Sequence, residues 1–237
     1  MRKLPILLIF SFLLSCQYVQ IFETKGVSND IMLDKNQYLY FENDTVKIKY
    51  SFWNNNGVIA YTFTNKLNKP LYIDWKKSAF VKNGNKLDYW EDKTVFNGSF
   101  LYLGDYNLLN YSEWGRVKIN IIKPERITFL APKSTITRVW NSIYPFPTNK
   151  IKKDKNNKYT LKQNASNKNT SVLIKHLTPE NTNISFRNFM TISTTEKFEQ
   201  ESYIDNQFYN SIIYQMKMPD FYELPFMKPT WFYVILK

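Results

Sequence analysis

One thiol and one imidazole, with 20 carboxylates, make up the obvious catalytic chemistry of this 237-residue chain. The thiol, Cys16, is the most informative. It closes the segment MRKLPILLIFSFLLSC, in which Arg2 and Lys3 precede an apolar stretch from Leu4 to Leu14. That stretch is too short to span a bilayer as a helix, which takes about 20 apolar residues, and it suits the hydrophobic core of an export signal over Met1–Ser15. The ending Leu13-Leu14-Ser15-Cys16 has the form of a bacterial lipobox. The chemistry there requires sulfur: the thiolate takes a diacylglyceryl group, and cleavage before Cys16 frees an α-amine for another acyl chain. Each buried CH₂ contributes about 0.8 kcal/mol, so two or three chains hold firmly where one does not. With a single cysteine, no disulfide can form, and stability must come from burial.

The imidazole is His176. A Ser-His-Asp or Cys-His arrangement would have to use it, but it sits at the end of an apolar strand-like run beside Lys175, where a backbone partner explains it. No Cys/His set for zinc exists, nor a P-loop or dinucleotide-binding glycine pattern. No catalytic, metal or cofactor site is expected. Among the carboxylates, Glu196, Glu199, Glu201 and Asp205 cluster, and Asp88, Glu91 and Asp92 form a smaller group. Neither has the spacing of a calcium loop, so both read as solvated acidic loops. Two distant carboxylates acting as a glycosidase pair stay open.

Aromatic residues, at 17%, are unusually abundant. Most fall at inward-alternating strand positions and belong to a core. Trp53, Trp90 and Trp114 lie near turns and are the candidates for stacking on sugar rings. Asp44-Thr45-Val46 has the Asp-Ser/Thr-apolar form of an O-glycan acceptor, which makes Thr45 a candidate for modification; an Asx-type turn accounts for the same residues.

The formal charge of +12 falls to about +10 once Arg2 and Lys3 leave with the signal. A basic surface attracts phosphates of lipid, lipopolysaccharide or nucleic acid. Yet arginine, the better bidentate phosphate ligand, occurs only five times, and lysine excess is what drift in an AT-rich genome produces. Export disfavours nucleic acid. The one local concentration is Lys150–Lys158.

The elements that must position these residues read as strands. Val46, Ile48, Tyr50 and Phe52 alternate with polar residues, Asn54–Gly57 turns, and Ile59, Tyr61 and Phe63 resume the alternation, giving a hairpin. Leu71–Trp75 follows. Asn83-Gly84, between Phe80-Val81 and Leu87–Trp90, suits a type I′ turn. Further strands are expected at Val117–Ile121, Arg126–Leu130, Thr135–Trp140, Val172–Leu177 and Ile184–Ser193. Trp231–Leu236 reads as a strand covered on both faces. Lys197–Met218 is ambiguous, with strand favoured from Phe208 onward. Short strands with turns between them predict an all-β, immunoglobulin-like β-sandwich. The expected division is a signal peptide over 1–15, a lipidated N-terminus and tether over 16–40, and one domain over 41–237 carrying a polar Lys/Asn-rich insertion at about 146–170.

The mature chain resembles a group of Bacteroidota lipoproteins to which no function is assigned, through QYVQIFET, FENDTVKIKYSFWNNNG, TNKLNKPLYIDWKKSAFVKNG and ISFRNFMTIST. The resemblance implies an envelope lipoprotein with a β-sandwich and brings no catalytic residues with it. Surface-exposed lipoproteins of that phylum often carry acids beside the cysteine; Gln17-Tyr18-Val19-Gln20 has none, which favours the periplasmic face of the outer membrane. The expected partners are a lipid bilayer, through acylated Cys16, and an envelope protein or glycan. The leading expectation is a non-enzymatic binding or assembly module. A carbohydrate-active or glycan-binding protein comes second, and binding of anionic lipid or polysaccharide through Lys150–Lys158 third.

Overall fold

Alternation builds the first sheet. Val46, Ile48, Tyr50 and Phe52 are all fully buried, as the period of two requires, and their partner strand buries Ile59, Tyr61 and Phe63. In the computed structural model, which describes residues 17–92, 95–98, 119–122, 124–143, 149–162, 169–182, 184–222 and 227–236, the strands run in this order. The first half holds β1 (Tyr18–Gly26), β2 (Ile31–Leu33), β3 (Leu39–Glu42), β4 (Val46–Ser51), β5 (Val58–Asn65), β6 (Leu71–Lys82), β7 (Asn85–Asp88), β8 (Val95–Gly98) and β9 (Ile119–Ile122). The second half holds β10 (Ile127–Leu130), β11 (Thr135–Ser142), β12 (Lys158–Lys162), β13 (Asn169–His176), β14 (Ser185–Ser193), β15 (Glu201–Lys217) and β16 (Trp231–Leu236), with a short helix α1 (Met218–Phe221) before the last strand.

Two sheets carry the architecture. The smaller has the order β11-β5-β4-β3-β2; the larger has the spine β10-β6-β14-β15-β1-β16, with β7 beside β6, β13 beside the second half of β15, and β12 outside β13. β8 and β9 pair separately. Every ladder is antiparallel. The protein is therefore all-β and sandwich-like, with the facing sides of the two sheets sharing one core. A second, smaller core of Val19, Ile21, Val172, Met216, Phe221 and Trp231 lies on the other face of the larger sheet. The Asn83-Gly84 turn joins β6 to β7 with φ of 46° and 81°, the left-handed pair that a type I′ turn needs.

Three expectations are corrected. Residues 16–40 are not a tether where they are described: β1 lies between β15 and β16, hydrogen-bonded on both edges. The cause is that β1 is covered on both faces. Val19 and Ile21 enter the smaller core and Phe22 the larger, while Gln20 is buried by making hydrogen bonds rather than by being apolar. The insertion at 146–170 also differs, because its residues 158–162 form β12 against β13. Lastly, β15 begins at Glu201 rather than Phe208; buried Asn206 interrupts the apolar pattern that would have revealed it. Cys16 and the signal segment lie outside the described residues, as does Trp114.

The interior is largely aromatic. Phe52 meets Phe186 and Phe208 edge-on at centroid distances of 5.5 Å each, and Tyr50 meets Phe208 at 4.8 Å, geometries favoured by ring quadrupoles. Within this apolar core a polar chain crosses between the sheets. Asn206 and Asn188, register partners on β15 and β14, donate through their side-chain amides to the Tyr50 hydroxyl of β4 at 2.7 and 2.9 Å. The Tyr89 hydroxyl donates to the Asn188 side-chain carbonyl at 2.6 Å.

Three outcomes follow. Tyr50→Phe removes the acceptor for two buried amides and is expected to lower unfolding free energy by about 1–3 kcal/mol in urea titrations. Lys47→Ala breaks an exposed ion pair with Glu42 and should change it by less than about 1 kcal/mol. Gly57, at φ +67° with Phe232 ring atoms 2.8 Å from where a Cβ would stand, allows no side chain, so Gly57→Ala should destabilise by more than about 1 kcal/mol. Burial also raises the phenol pKa values of Tyr50, Tyr61 and Tyr89 above the ordinary 10.0. Their native states resist ionisation, so stability is intact below pH 10 and falls as pH rises beyond it. Phenolate absorbance should show exposed tyrosines titrating first and these three only on unfolding.

Candidate functional site

An open cleft of about 270 Å³ lies beside the start of β10 and the second half of β11. Five strand or loop segments build it. Tyr61 comes from β5, Trp75 from β6, Tyr89 from just after β7, Arg138 and Trp140 from β11, and Glu125 from the turn before β10. The rings stand nearly perpendicular to one another. Tyr89 meets Trp140 at 4.8 Å and 72°, Trp75 at 5.7 Å and 77°, and Tyr61 at 6.4 Å and 64°. Trp75, Tyr89 and Tyr61 are buried, so this wall is the end of the core where it reaches the surface.

β11 is the edge strand of the smaller sheet, and Arg138 pairs in register with Tyr61, on the face turned to the core. An inward-pointing charge on an edge strand discourages pairing with another chain. Here it also makes specific contacts. The guanidinium carbon stands 5.6 Å from the Trp75 ring centroid, and Nη2 donates to Thr128 Oγ1 at 3.1 Å and pairs with Glu125 Oε2 at 3.5 Å. Thr128 Oγ1 also accepts from Trp75 Nε1 at 2.8 Å and donates to Glu125 Oε2 at 2.8 Å. The hydroxyl is saturated, and so is the Trp75 indole.

Trp140 is different. Its Nε1 is buried and has no acceptor among the described residues. An unpaired buried donor costs about 1–3 kcal/mol, and such groups are rare enough to call for an account. Two indoles line one cleft; the protein satisfies one and leaves the other with a free donor.

The residues singled out in the sequence fall elsewhere. His176 is exposed at the end of β13. Thr45 is half-buried, its N–H donating to Asn43 Oδ1 at 2.9 Å and its carbonyl accepting from Lys66 N at 2.9 Å, an Asx turn that starts β4. Glu201 engages Lys77 and Tyr203, and the Lys77 ammonium holds its carboxyl below the usual range. Asp205 takes a bidentate fork from Arg187 at 2.6 and 2.9 Å; Asp88 pairs with Lys86. Glu196, Glu199, Glu91 and Asp92 are exposed. Each of three described clefts carries a single carboxylate, so none of them offers the pair that a glycosidase needs. Among the described residues no three His, Cys, Asp or Glu gather to hold a metal, and no helix is long and apolar enough to cross a membrane.

Trp53 packs in the smaller core against Tyr233 at 5.4 Å and Phe221 at 6.3 Å. Trp90 donates to the Pro124 carbonyl at 3.0 Å. Neither lines the cleft. Trp140, Trp75, Tyr61 and Tyr89 occupy inward positions that read as plain core. Only their place at the open end of the core separates them from other buried rings, and that depends on contacts distant in sequence.

A second concavity, of about 470 Å³, opens beside the main core on the same face of the larger sheet, between β1, β13, β15 and residues 149–157. Gln20 lines it, backed by Gln215. Gln20 Nε2 donates to Gln215 Oε1 at 2.9 Å and to the Asn149 carbonyl at 3.0 Å, and Gln215 Oε1 accepts from Ile151 N at 2.8 Å. These two glutamines, 2% and 4% exposed, fix the backbone on both sides of Lys150. Compared with known proteins, the chain matches no family model, no curated protein and no solved structure.

Proposed function

We propose that the protein is a membrane-anchored, non-enzymatic binding module of the bacterial cell envelope, held through acylated Cys16 and presenting the aromatic cleft to a glycan. The observation that carries the ligand reading is the buried, unpartnered Trp140 Nε1 in a cleft walled by three other aromatic rings. A sugar ring offers what that wall lacks: hydroxyl oxygens to accept from the indole once the half-buried Trp140 ring turns its N–H into the cleft, and C–H faces to lie against aromatic carbon. The Arg138–Glu125 pair at the rim supplies a donor fork and an acceptor of the kind hydroxyls use. The volume is near the lower end of the roughly 300–1,000 Å³ typical of small-ligand sites, which suits a single ring.

The lipobox form of Leu13–Cys16 supports the anchor, and the absence of acids in Gln17–Gln20 supports the periplasmic face of the outer membrane. Membership of a Bacteroidota lipoprotein group, and an immunoglobulin-like form of the sandwich, belong to the same proposal. Antiparallel pairing throughout both sheets favours the latter, while nine strands in one sheet exceed what such domains usually carry.

Palmitate labelling of cells expressing the full chain should mark the protein and be lost in Cys16→Ser; label that persists in the variant removes the anchor. For the cleft, saccharides released from envelope glycans are titrated against the full chain by calorimetry. Trp140→Phe keeps the ring and removes the donor, so affinity should fall about tenfold, the equivalent of one hydrogen bond of about 1.4 kcal/mol. Thermal stability should stay the same or rise. Unchanged affinity, or no saccharide bound by the parent protein, overturns the glycan reading.

A further inference from the structure

The groove over Gln20 carries an excess of positive charge. Lys150, Lys152 and Lys175 line it, and none pairs with a carboxylate among the described residues. Lysines on the smaller sheet behave differently: Lys47 and Lys66 both reach Glu42, at 2.7 and 2.8 Å, and Lys49 reaches Asp34 at 3.2 Å. The single acid of the groove is Asp154, whose carboxylate caps the turn at Lys155–Asn157 and accepts from Asn156 N. Three lysines thus line the groove with one carboxylate, and Asn149 and Asn157 line it too.

The groove is built rather than incidental. The buried glutamine pair clamps the backbone at Asn149 and Ile151, so Lys150 is held between two fixed points. Its ammonium stands 5.1 Å from the Tyr18 ring centroid. Ile213 and Ile174 form the apolar part of the wall.

Position decides what such a groove meets. Tyr18 begins β1 and is only two residues after Cys16, a reach of about 7 Å at most for extended chain. The polar layer on each side of a bilayer is about 5–8 Å thick. A domain whose first strand starts this close to an acylated residue rests on the headgroups, with Tyr18 at the depth where aromatic residues concentrate. Exposed Lys217 stands beside Tyr18 in register. We infer that the groove lined by Lys150, Lys152 and Lys175 binds the phosphate of an anionic phospholipid headgroup in the leaflet that holds the anchor. This rests on the Cys16 anchor proposed above. Phosphate suits the site chemically, because it offers several acceptor oxygens and a charge that lysine ammonium groups meet as point charges.

The test uses the full acylated chain reconstituted in vesicles of phosphatidylglycerol with phosphatidylethanolamine, or of phosphatidylcholine alone. Lysines are acetylated under limiting reagent and quantified by mass spectrometry. Lys150, Lys152 and Lys175 should be labelled at least threefold less in the phosphatidylglycerol vesicles, with Lys47 and Lys66 unchanged as internal references. High salt should restore the labelling. Equal labelling in the two lipids, or an equal fall at Lys47, overturns the headgroup site while leaving the anchor in place. Protection in phosphatidylcholine vesicles on adding inorganic phosphate alone, to the level seen with phosphatidylglycerol, assigns the groove to a soluble phosphate and overturns the lipid source. Failure of the protein to carry acyl label on Cys16 overturns the anchor, and the orientation with it.

Discussion

Two asparagine amides meeting one tyrosine hydroxyl hold the sheets in their relative positions. Apolar burial brings the sheets together, but it is nearly indifferent to a slide of one strand pair against the other. A buried polar chain is not indifferent, because in a low-dielectric interior each unpaired member costs free energy that the core cannot return. Tyr50 is on the smaller sheet, and Asn188 and Asn206 are neighbours on the larger. Only one register brings the hydroxyl between both amides. Asn188 then uses its carbonyl for Tyr89, which ties in the segment after β7. The same four residues fix the facing of the sheets and the position of the first ring of the cleft.

The cleft follows from that arrangement. Tyr89 is both the end of the polar chain and the ring against which Tyr61, Trp75 and Trp140 are placed. The cleft is therefore continuous with the core rather than carried on a separate loop. Its walls have the rigidity of close-packed rings, and only the rim, with Glu125, Arg138 and Trp140, is free to meet a ligand. Preorganisation of this kind keeps the entropic cost of binding small.

The sequence revealed those parts of the fold whose signals are local. The β4–β5 hairpin was readable because Val46, Ile48, Tyr50 and Phe52 alternate without exception, and the β6–β7 turn because Asn83-Gly84 has few other conformations available. What stayed hidden depends on distant partners. Gln20 reads as solvated until Gln215 and the Asn149 carbonyl are brought to it, and so β1 looked like part of a tether. Asn206 concealed the first third of β15 for the same reason. The cleft residues had the pattern of core and were core; that Trp140 lacks an acceptor while Trp75 finds Thr128 is a fact of three dimensions. The basic run at Lys150–Lys158 was visible in sequence, but its opposition to Lys175 and Tyr18 was not.

The place of β1 has a consequence for how the molecule comes into being. Its partners are β15 and β16, which are synthesised long after it, so β1 waits before it can pair. Contacts of such sequence separation close slowly because the loop entropy must be overcome first. Until then β1 exposes two unpaired edges and two apolar faces, a species prone to associate with other chains. Fixing that strand at a surface early would keep copies of it apart while the C-terminal strands arrive. A product truncated before Trp231 would leave one edge of β1 unpaired, open to a protease or chaperone.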